Sequence, residues 1–558
     1  MDKNKVFVIG LDGVSFRLIK RWISDGQLPA LRSLMENGCY SELESVYPPL
    51  TPAAWTSFYT GKNPGKHGLF DYQYRQEGSY AMLPSNSRRI QSDSLWKILS
   101  GHGKNVGVIN VPMTYPAEKV NGFMITGLFT PNFSDLDKTD FVYPASLKEE
   151  IRAHIGKYRI YPAHFYTKGN IEELINDYCA LIEQRVETTL YFLRTRPWDF
   201  LMTVINETDH IQHQLWHLLD PEHPDFDEKE SEKYRDVFLK VYRKVDDGIA
   251  RMLKLVDAEN TNIIIMSDHG LGPVYKWINL NTWLLREGYI SIRKTPLSRL
   301  KYLLFSMGFT PANVYRLLLR LKKNRRAKTG DIAGGKRVFG RFFLNENDIN
   351  WAKTKAYSLS HMGQVNINLK GREPQGTVLP KDYDETISRL KDELRKTKFI
   401  AQILTKNELF SGPCVEGAAD LYLKAAHEYC HVLGGAAFIS NRIIERSYGN
   451  SATHRIDGIF IASGPAISRR DPFPGKIRIL DIAANILYMM GLPVPTDFDG
   501  KIIDDIYGRD HLSRNKPQYS EACSGQKSEA SGASSSGLTE DEIAATREML
   551  KKLGYVKE

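Results

Sequence analysis

The stretch KVFVIGLDGV, residues 5 to 14, decides the fold of this chain. Its residues 6 to 11 are a short apolar run rich in β-branched side chains, which predicts a strand buried on both faces. Runs of the same kind recur at residues 106–111, 200–205, 262–266 and 458–462. Helical patterns lie between them, most clearly at residues 183–194 and 232–256. Strands that alternate with helices predict the α/β class, as a three-layer α/β/α sandwich around a largely parallel central sheet.

Length and composition are those of a globular protein. The chain has 558 residues, of which 42% are hydrophobic and 25% charged. This is enough for one large α/β domain with insertions, or for two to three ordinary domains. Its cysteines are five, scattered and without metal-type spacing, which indicates a reducing compartment. We find no signal peptide and no run of about 18 apolar residues, so we expect a cytoplasmic protein unless another element brings it to a membrane.

Positive charge is concentrated in one segment. Residues 293–341 contain fourteen Lys and Arg and a single acid, Asp331, whereas the whole chain carries a net charge of +9. Within this window, residues 297–326 form two apolar helical segments that break near Thr310 and Pro311. We interpret the region as an inserted basic helical subdomain. It would contact an anionic membrane surface, cap the active site, or pack on the core with a solvated basic face.

The sequence gives little evidence for any other kind of partner. The aromatic residues of the insert are spaced for packing rather than for base stacking, so no nucleic acid partner is assigned. The segment from Ser513 to Ser536 is polar and low in complexity, which predicts a linker. The following LTEDEIAATREMLKKLGYV has Thr539 as an N-cap and predicts a short terminal helix, docked or free, without a catalytic role. The sequence gives no oligomeric state.

Three acidic residues follow predicted strands directly. Asp12 follows residues 6–11, Asp209 follows the strand that ends near Ile205, and Asp268 follows the strand that ends at Met266. Ligands of open α/β sheets bind outside the carboxyl ends of the strands. A lone aspartate after a strand is usually a turn former, but three at equivalent positions predict a site.

Histidines add nitrogen donors to these carboxylates. His269 follows Asp268 directly, His213 lies four residues after Asp209, and His454 precedes a predicted strand. A mixture of carboxylate and imidazole favours zinc, with manganese as the alternative, over calcium or magnesium. Spacing alone leaves a second pairing open, in which His213 and His217 act together.

The stretch YPPLTPAAWTSFYTGKNPGKHG, residues 47 to 68, places one hydroxyl among three prolines. Pro52 suits the first position of a helix and Thr51 its N-cap. Two interpretations stay open from these residues alone. Thr51 is a helix cap, or its hydroxyl faces an anion as a nucleophile or a phosphate ligand would.

Five stretches, taken in order, resemble the alkaline phosphatase superfamily. They are GLDGV, PPLTPAAWTSFYTGKNPGKHG, ETDHIQH, SDHGLG and THRIDGIFIASGP. Within that superfamily the chain is most similar to prokaryotic members of the type I phosphodiesterase and nucleotide pyrophosphatase branch. The resemblance extends over most of residues 5 to 508 and thins over the basic insert.

This resemblance implies two divalent metal ions and a threonine nucleophile. One metal would be held by Asp12, Thr51, Asp268 and His269, and the other by Asp209, His213 and His454. Two such ions clamp the attacking and leaving oxygens of an in-line displacement and activate the hydroxyl. The expected function is a two-metal phosphohydrolase that cleaves phosphodiester or related phosphate ester bonds through phosphothreonine at Thr51, with retention at phosphorus.

Two departures and two alternatives accompany this hypothesis. Nucleotide-processing members commonly carry an asparagine on the helix after the nucleophile, and PAAWTSFYTG has none. Sulfatases need a Cys or Ser followed two residues later by Pro and then Arg, a pattern that TPAAW lacks. A transferase would instead pass the phosphoryl or phospho-alcohol group to a lipid or sugar at a membrane. A non-catalytic scaffold would bind metal alone.

We divide the chain into four parts on this basis. An alkaline phosphatase-like catalytic core is expected over residues 1–275 and 345–510, with the basic helical insert over 276–344. A flexible linker is expected over 511–537 and a C-terminal helix over 538–558.

Overall fold

A nine-stranded sheet forms the centre of the computed structural model. The structure describes residues 5–167, 169–321, 342–360, 362–435, 438–447, 449–469, 473, 475–521 and 537–555, and the strand count refers to these. In spatial order the strands are Ile477–Arg478, Cys39–Glu44, Asp457–Ser463, Thr261–Met266, Lys5–Leu11, Phe200–Ile205, Val106–Val111, Gly122–Thr126 and Val142–Tyr143. Lys5–Leu11 pairs in parallel with both of its neighbours. The predicted α/β class with a largely parallel central sheet is confirmed.

Helices flank the sheet on both faces, and their apolar sides form two large core clusters. The helices are Phe16–Ser24, Pro29–Glu36, Thr51–Thr60, Pro64–His67, Leu95–Gly101, Leu147–His154, Ile171–Thr195, Glu207–Leu215, Glu228–Tyr234, Val237–Leu253, Leu280–Arg286, Pro296–Ser306, Pro311–Leu321, Tyr383–Lys396, Lys406–Leu409, Asp481–Met489, Arg509–Arg514 and Glu540–Leu553. None of the helices in the described ranges combines the length and the apolar character needed to cross a membrane.

A second, antiparallel sheet lies outside the central one. Its strands are Ala356–Tyr357, Gln364–Ile367, Leu421–Ala425 and Ile400–Thr405, in spatial order. It packs with its own apolar cluster, to which Trp283, Leu390 and Leu421 belong. The four-part division of the chain stays a prediction, and this sheet is a feature that the division does not separate from the core.

Strand Lys276–Asn279 opens the region that we interpret as the basic insert, and it pairs with Cys430–Leu433 and Ile444–Arg446. The two expected helical segments follow as Pro296–Ser306 and Pro311–Leu321. The rest of the basic window, residues 322–341, lies outside the described residues, as do Cys523 and most of the expected linker.

Close packing between a strand and a helix positions the start of helix Thr51–Thr60. All ten residues of that helix are buried. Gly10 lies opposite Trp55, and a Cβ atom at Gly10 would be 2.6 Å from Trp55 Cη2. The missing side chain therefore lets the indole lie directly on strand Lys5–Leu11. Trp55 Nε1 donates to Asp12 Oδ2 over 3.4 Å, which links the helix to the carboxyl end of the strand.

Candidate metal centre and nucleophile

Three acidic residues meet at one edge of the central sheet. Asp12 and Asp268 follow strands Lys5–Leu11 and Thr261–Met266, and Asp209 lies in the first turn of the helix after Phe200–Ile205. These three strands are neighbours in the sheet. Because neighbouring parallel strands end at the same edge, the three carboxyl groups converge there.

Asp209, His213 and His454 form the first group of ligand-type atoms. Asp209 Oδ1 lies 3.3 Å from His213 Nε2 and 3.8 Å from His454 Nε2. The two Nε2 atoms are 3.0 Å apart. His213 is one helical turn after Asp209, and His454 is brought in by strand Ala452–Arg455, which pairs with Gly270–Pro273. Helical spacing and a local antiparallel pair together build this group.

Asp12, Asp268 and His269 form the second group. His269 Nε2 lies 3.2 Å from Asp268 Oδ2 and 3.8 Å from Asp12 Oδ1. Ligand atoms of Asp12, Asp209 and His269 lie within 4.8 Å of one another, as do those of Asp209, His213 and His454. Asp209 therefore lies within reach of ligand-type atoms of both groups.

The Thr51 hydroxyl points at the second group. Thr51 Oγ1 lies 3.1 Å from His269 Nε2 and 3.2 Å from the Tyr72 hydroxyl. The N-cap position belongs to Leu50, whose carbonyl accepts from Ala54 N. The interpretation of Thr51 as a helix cap is therefore wrong. The hydroxyl is turned away from the helix and into the cluster of carboxylates and imidazoles.

Three carboxylate oxygens of the cluster have no hydrogen-bond partner among the described residues. Within the described residues, Asp12 Oδ1, Asp209 Oδ1 and Asp268 Oδ2 are buried and accept no hydrogen bond. A buried carboxylate oxygen without a partner is costly, and such charges in proteins are paired or bound to a metal. Ligands at the usual distance from one tetrahedral zinc ion lie about 3.4 Å from each other. The observed separations fit a shared cation.

Crowding of these carboxyl groups shifts their acidity. Burial, together with the Asp209 carboxylate, raises the pKa of Asp12 to about 8. Burial, followed by the charges of Asp12 and Asp209, raises the pKa of Asp268 well above its usual value. Burial also opposes ionisation of Asp209, but His213 outweighs it and lowers the pKa of that carboxyl. Carboxyl groups this crowded resist ionising together, and a bound cation would favour their ionised forms.

Two of the three imidazoles are kept neutral by burial. Burial lowers the pKa of His269 to about 4, and burial with the neighbouring His269 ring lowers the pKa of His454. Burial also opposes protonation of His213, but the Asp209 carboxylate outweighs it and raises the pKa of that ring. His213 Nδ1 donates to the Ala452 carbonyl over 2.8 Å, and His269 Nδ1 lies 3.2 Å from the Gly270 carbonyl. A proton on Nδ1 leaves Nε2 free to coordinate a metal.

Three further residues that could contact a metal or a phosphate lie elsewhere. The Nε2 atom of His217 is 3.4 Å from the Tyr166 hydroxyl, so the alternative pair of His213 and His217 is not formed. His67 is buried against Ser57 rather than exposed to substrate or solvent. Arg372 forms an ion pair with Asp420 at 2.6 Å. These residues hold the structure around the site together.

Sequence reasoning missed three residues that contact the cluster. Asn206 Nδ2 donates to Asp12 Oδ2 over 2.7 Å, Tyr72 contacts Thr51, and the Tyr555 hydroxyl donates to Asp209 Oδ2 over 2.6 Å. Asn206 was detectable as a polar residue directly after a strand. Tyr72 and Tyr555 carry no motif, and only the fold brings them here.

Access to the cluster is restricted. Thr51, Asp209, Asp268 and His269 are fully buried, and Tyr555 is 3% exposed. A cavity of about 690 Å³ reaches His454 and is also lined by Tyr47, Leu271, Met362 and Arg455. A larger cavity of about 2120 Å³ is lined by Lys62, Lys66, Arg75 and Arg89. Thr51 lines neither cavity within the described residues.

Comparison with known proteins extends these observations. A family model described as type I phosphodiesterase / nucleotide pyrophosphatase matches residues 6–419. No curated protein sequence matches the chain. Phosphonoacetate hydrolase from Sinorhizobium meliloti 1021, solved with phosphonoformate, is 15% identical with a TM-score of 0.53, over 88% of this chain and 95% of that one. This similarity shows a shared fold.

Another solved structure is similar over almost the whole chain. Murine ectonucleotide pyrophosphatase/phosphodiesterase 5, in complex with AMP, is 12% identical with a TM-score of 0.47. The similarity covers 90% of this chain and all of that one, at 100%.

Proposed function

This chain belongs to the type I phosphodiesterase / nucleotide pyrophosphatase family, and on that premise we propose that it cleaves phosphodiester or related phosphate ester bonds through a phosphothreonine intermediate at Thr51. It is a metal-dependent hydrolase of the phosphodiesterase type. The observation that carries the proposal is the contact of Thr51 Oγ1 with His269 Nε2 at 3.1 Å, beside carboxylate oxygens that accept no hydrogen bond within the described residues.

The proposed ligands divide into two sets that share one edge of the sheet. Asp12, Thr51, Asp268 and His269 would hold one divalent cation, and Asp209, His213 and His454 the other. Bound cations would lower the pKa of the threonine hydroxyl and offset the charge of the phosphoryl oxygens. We assign zinc because three imidazoles accompany the carboxylates, with manganese as the alternative.

The chain's own groups then act on the substrate. Thr51 Oγ1 attacks phosphorus, a P–O bond to threonine forms, and the bond to the leaving alcohol breaks. Water hydrolyses the phosphothreonine in a second displacement, so configuration at phosphorus is retained. We propose that Tyr72 holds Thr51 Oγ1 toward the cluster and donates to a phosphoryl oxygen. Nucleotide-processing members commonly carry an asparagine on the helix after the nucleophile, and the Thr51 helix has none. Tyr72 would supply the missing contact with the phosphoryl oxygen.

A substrate panel tests this proposal. Metal content is measured together with turnover of a nitrophenyl phosphodiester, the matching monoester and a phosphonate ester, for wild type and Thr51→Ala. We expect about two zinc or manganese ions per chain, and cleavage that Thr51→Ala abolishes. Equal turnover by wild type and Thr51→Ala would reject the threonine intermediate. The preferred ester identifies the substrate class.

A second candidate function rests on helix Pro296–Ser306. Its inner face is fixed by Lys301, whose Nζ lies 3.0 Å from Asp348 Oδ2. Its outer face carries large apolar residues at spacings of three or four, namely Leu297 at 54% exposure, Leu300 at 48%, Leu303 at 56% and, just beyond the helix, Met307 at 76%. Exposed basic residues flank this outer face at Arg293, Lys294 and Arg299. Apolar and basic side chains on one face favour peripheral contact with an anionic membrane.

Such contact would bring the site to a lipid acceptor and favour a phosphoryl or phospho-alcohol transferase. Vesicles of phosphatidylglycerol should then retain the protein at low salt, whereas phosphatidylcholine vesicles should not. Leu300→Glu with Leu303→Glu should release it, and Leu255→Glu on another surface should not. Faster turnover with added alcohols or lipids would favour the transferase. Unchanged rates and no retention on either vesicle would reject it.

We also propose a cytoplasmic location. The support is that Cys179, Cys414 and Cys430 form no disulfide among the described residues, since reduced cysteines are typical of a reducing compartment. Cell fractionation at high salt, which releases peripheral contacts, should find the protein in the cytoplasmic fraction. Recovery with the secreted or periplasmic material would contradict the assignment.

A further inference from the structure

The C-terminal helix, Glu540–Leu553, is docked on the catalytic core. It begins with a capping box in which Thr539 Oγ1 accepts from Glu542 N and the Glu542 carboxylate accepts from Thr539 N. Its apolar side contributes Met549, Leu550 and Leu553 to the largest core cluster. The sequence left open whether this helix is docked or free, and in the structure it is docked.

Polar contacts fix the same helix at its outer side. Glu542 accepts from the Tyr115 hydroxyl, and Arg547 Nη2 donates to the Met82 carbonyl over 2.7 Å. Ahead of the helix, Arg88 donates to the Gly537 carbonyl. Packing and polar contacts together define one docked position for residues 537–555.

The end of the helix directs Tyr555 toward the proposed metal ligands. Gly554 ends the helix with a φ of 82°, and Tyr555 N donates to the Leu550 carbonyl over 3.0 Å. This is a Schellman-type cap, which turns the chain sharply and favours glycine. A Cβ atom at Gly554 would also lie 2.7 Å from Asn450 Oδ1. The direction of the Tyr555 side chain therefore depends on the glycine before it.

Tyr555 packs directly against residues of the proposed active site. Its hydroxyl donates to Asp209 Oδ2 over 2.6 Å, and Asp209 has ligand-type atoms of both groups within 4.8 Å. Its ring stacks on Tyr72, with centroids 4.7 Å apart and planes 12° apart, and it meets the edge of His213 at 5.8 Å. Tyr72 in turn contacts Thr51. The phenol thus covers both the ligand and the nucleophile side of the cluster.

We propose that residues 539–555 are an autoinhibitory plug, which must leave its docked position before a phosphate ester reaches Thr51. The proposal rests on the proposed function of that site. Thr51 is fully buried and Tyr555 is 3% exposed, so entry requires an element to move. The phosphoryl group must lie beside Thr51 and Asp209, which is the space that the phenol fills. Substrate and Tyr555 therefore compete for one position.

The first test compares activity among full-length variants. Tyr555→Ala removes the phenol, and Gly554→Ala misdirects it while leaving the tyrosine in place. Each should raise kcat/KM for a nitrophenyl phosphodiester by roughly tenfold, the change expected for loss of a buried hydrogen bond and a ring stack. Tyr519→Ala is the matched control, because Tyr519 is 64% exposed and lies outside the helix. It should leave the rate unchanged.

The second test measures displacement of the C-terminal helix and requires no turnover. Hydrogen–deuterium exchange is followed over residues 540–553 of the metal-loaded protein, with and without inorganic phosphate. Phosphate should increase exchange in wild type, since it displaces the helix. In Tyr555→Ala exchange should be fast already and insensitive to phosphate. The same segment added as a synthetic peptide should inhibit Tyr555→Ala, and a peptide with alanine at that tyrosine should not.

The outcomes separate the plug from the proposed activity. Exchange that rises with phosphate, in a protein inert toward every ester, would support the plug and reject the hydrolase. Equal or lower turnover in both Tyr555→Ala and Gly554→Ala, with exchange that phosphate does not change, would overturn the plug. Tyr555 would then be a fixed wall of the site.

Discussion

Tyr72 places a buried hydroxyl 3.2 Å from Thr51 Oγ1. Burial, reinforced by the charge of Asp209, raises the pKa of Tyr72 well above its usual value, so the phenol keeps its proton throughout the neutral range. We expect Tyr72→Phe to lower kcat/KM roughly tenfold, the worth of one buried hydrogen bond. The metal content should not change, because Tyr72 is outside both ligand groups.

Steady-state kinetics and metal analysis of the same preparations provide the measurement. Tyr519→Phe serves as the control, because it removes an exposed hydroxyl. A Tyr72→Phe variant with wild-type kcat/KM would show that the contact has no part in the reaction.

His67 makes the stability of the protein depend on pH. Its Nε2 contacts Ser57 Oγ at 2.9 Å and its Nδ1 accepts from Leu69 N at 3.2 Å, an arrangement that only the neutral ring satisfies. Burial lowers the pKa of His67 to about 3. Below about pH 6.5 the unfolded chain binds a proton that the folded chain does not, so stability falls as pH decreases toward 3.

Between pH 7 and pH 4.5 this one residue should cost roughly 2–3 kcal/mol of unfolding free energy. Urea unfolding at several pH values measures it. In His67→Gln, which lacks a titrating ring, the decline should be shallower by that amount. Parallel stability curves for the two proteins would contradict the assignment.

At the scale of single residues, site residues that lie in a recognisable motif could be predicted, and those that lie in no motif could not. The seven proposed ligands occur in recognisable stretches, and the structure brings all of them together. Tyr72 and Tyr555 reach the site only through packing of distant segments, 21 residues from Thr51 and 346 residues from Asp209 respectively. The side-chain direction of Thr51 also needed the fold, because a cap and a ligand have the same sequence context.

At the scale of secondary structure, strand Lys5–Leu11 and helix Thr51–Thr60 act as one unit. Gly10→Ala would place a Cβ atom 2.6 Å from Trp55 and 2.8 Å from Val204. We expect a loss of about 1–3 kcal/mol in stability, the usual cost of overpacking a core. Activity should fall as well, since Trp55 contacts Asp12.

Thermal unfolding and phosphodiesterase assays measure both effects. Gly101→Ala is the matched control, because it lies at the end of a helix and a Cβ atom there would meet nothing within 4 Å. That change should be neutral or slightly stabilising. Equal behaviour of the two variants would contradict the close strand–helix packing.

Element boundaries followed from periodicity where burial is uniform. The apolar runs predict the five core strands to within one residue of their observed ends. Helix Ile171–Thr195 starts twelve residues before the predicted residue 183, because its first half carries acids on an exposed side that weaken the apolar pattern. The antiparallel second sheet was missed, since its short strands lie in polar sequence without a sustained alternation.

At the scale of the whole molecule, the proposed metal ligands come from segments that are far apart in sequence. Asp12, Asp209, Asp268 and His454 come from four separate stretches of the chain. Cations that bind only the folded state stabilise it, by about 4 kcal/mol at a thousandfold excess over Kd. We therefore expect chelation to lower Tm by several degrees. Calorimetry with and without chelator measures the shift.

Two variants make this prediction specific. Asp209→Asn should lose most of the chelation-dependent shift, because Asp209 is a proposed ligand of one cation and lies within 4.8 Å of ligand-type atoms of the other group. His217→Asn should keep it, because His217 contacts Tyr166 instead. A shift of the same size in all three proteins would place the stabilising cations elsewhere.

The docking of the C-terminal helix was beyond sequence reasoning for a physical reason. Local signals, such as the Thr539 cap and the glycine at residue 554, predict a helix and its ends. They contain no information on which surface receives it, and a low-complexity segment before it imposes no distance. The general fold could be predicted because the sheet is built from strong local patterns, whereas this closure depends on a long-range contact.

The central claim is that Thr51 carries the phosphoryl group during turnover. Mixing the metal-loaded enzyme with a nitrophenyl phosphodiester, quenching it in acid and analysing the peptides by mass spectrometry tests this directly. We expect a phosphorylated or phosphodiester-linked peptide that contains Thr51 in wild type, and none in Thr51→Ala, which should also be inactive. Turnover without a covalent adduct, retained in Thr51→Ala, would contradict it.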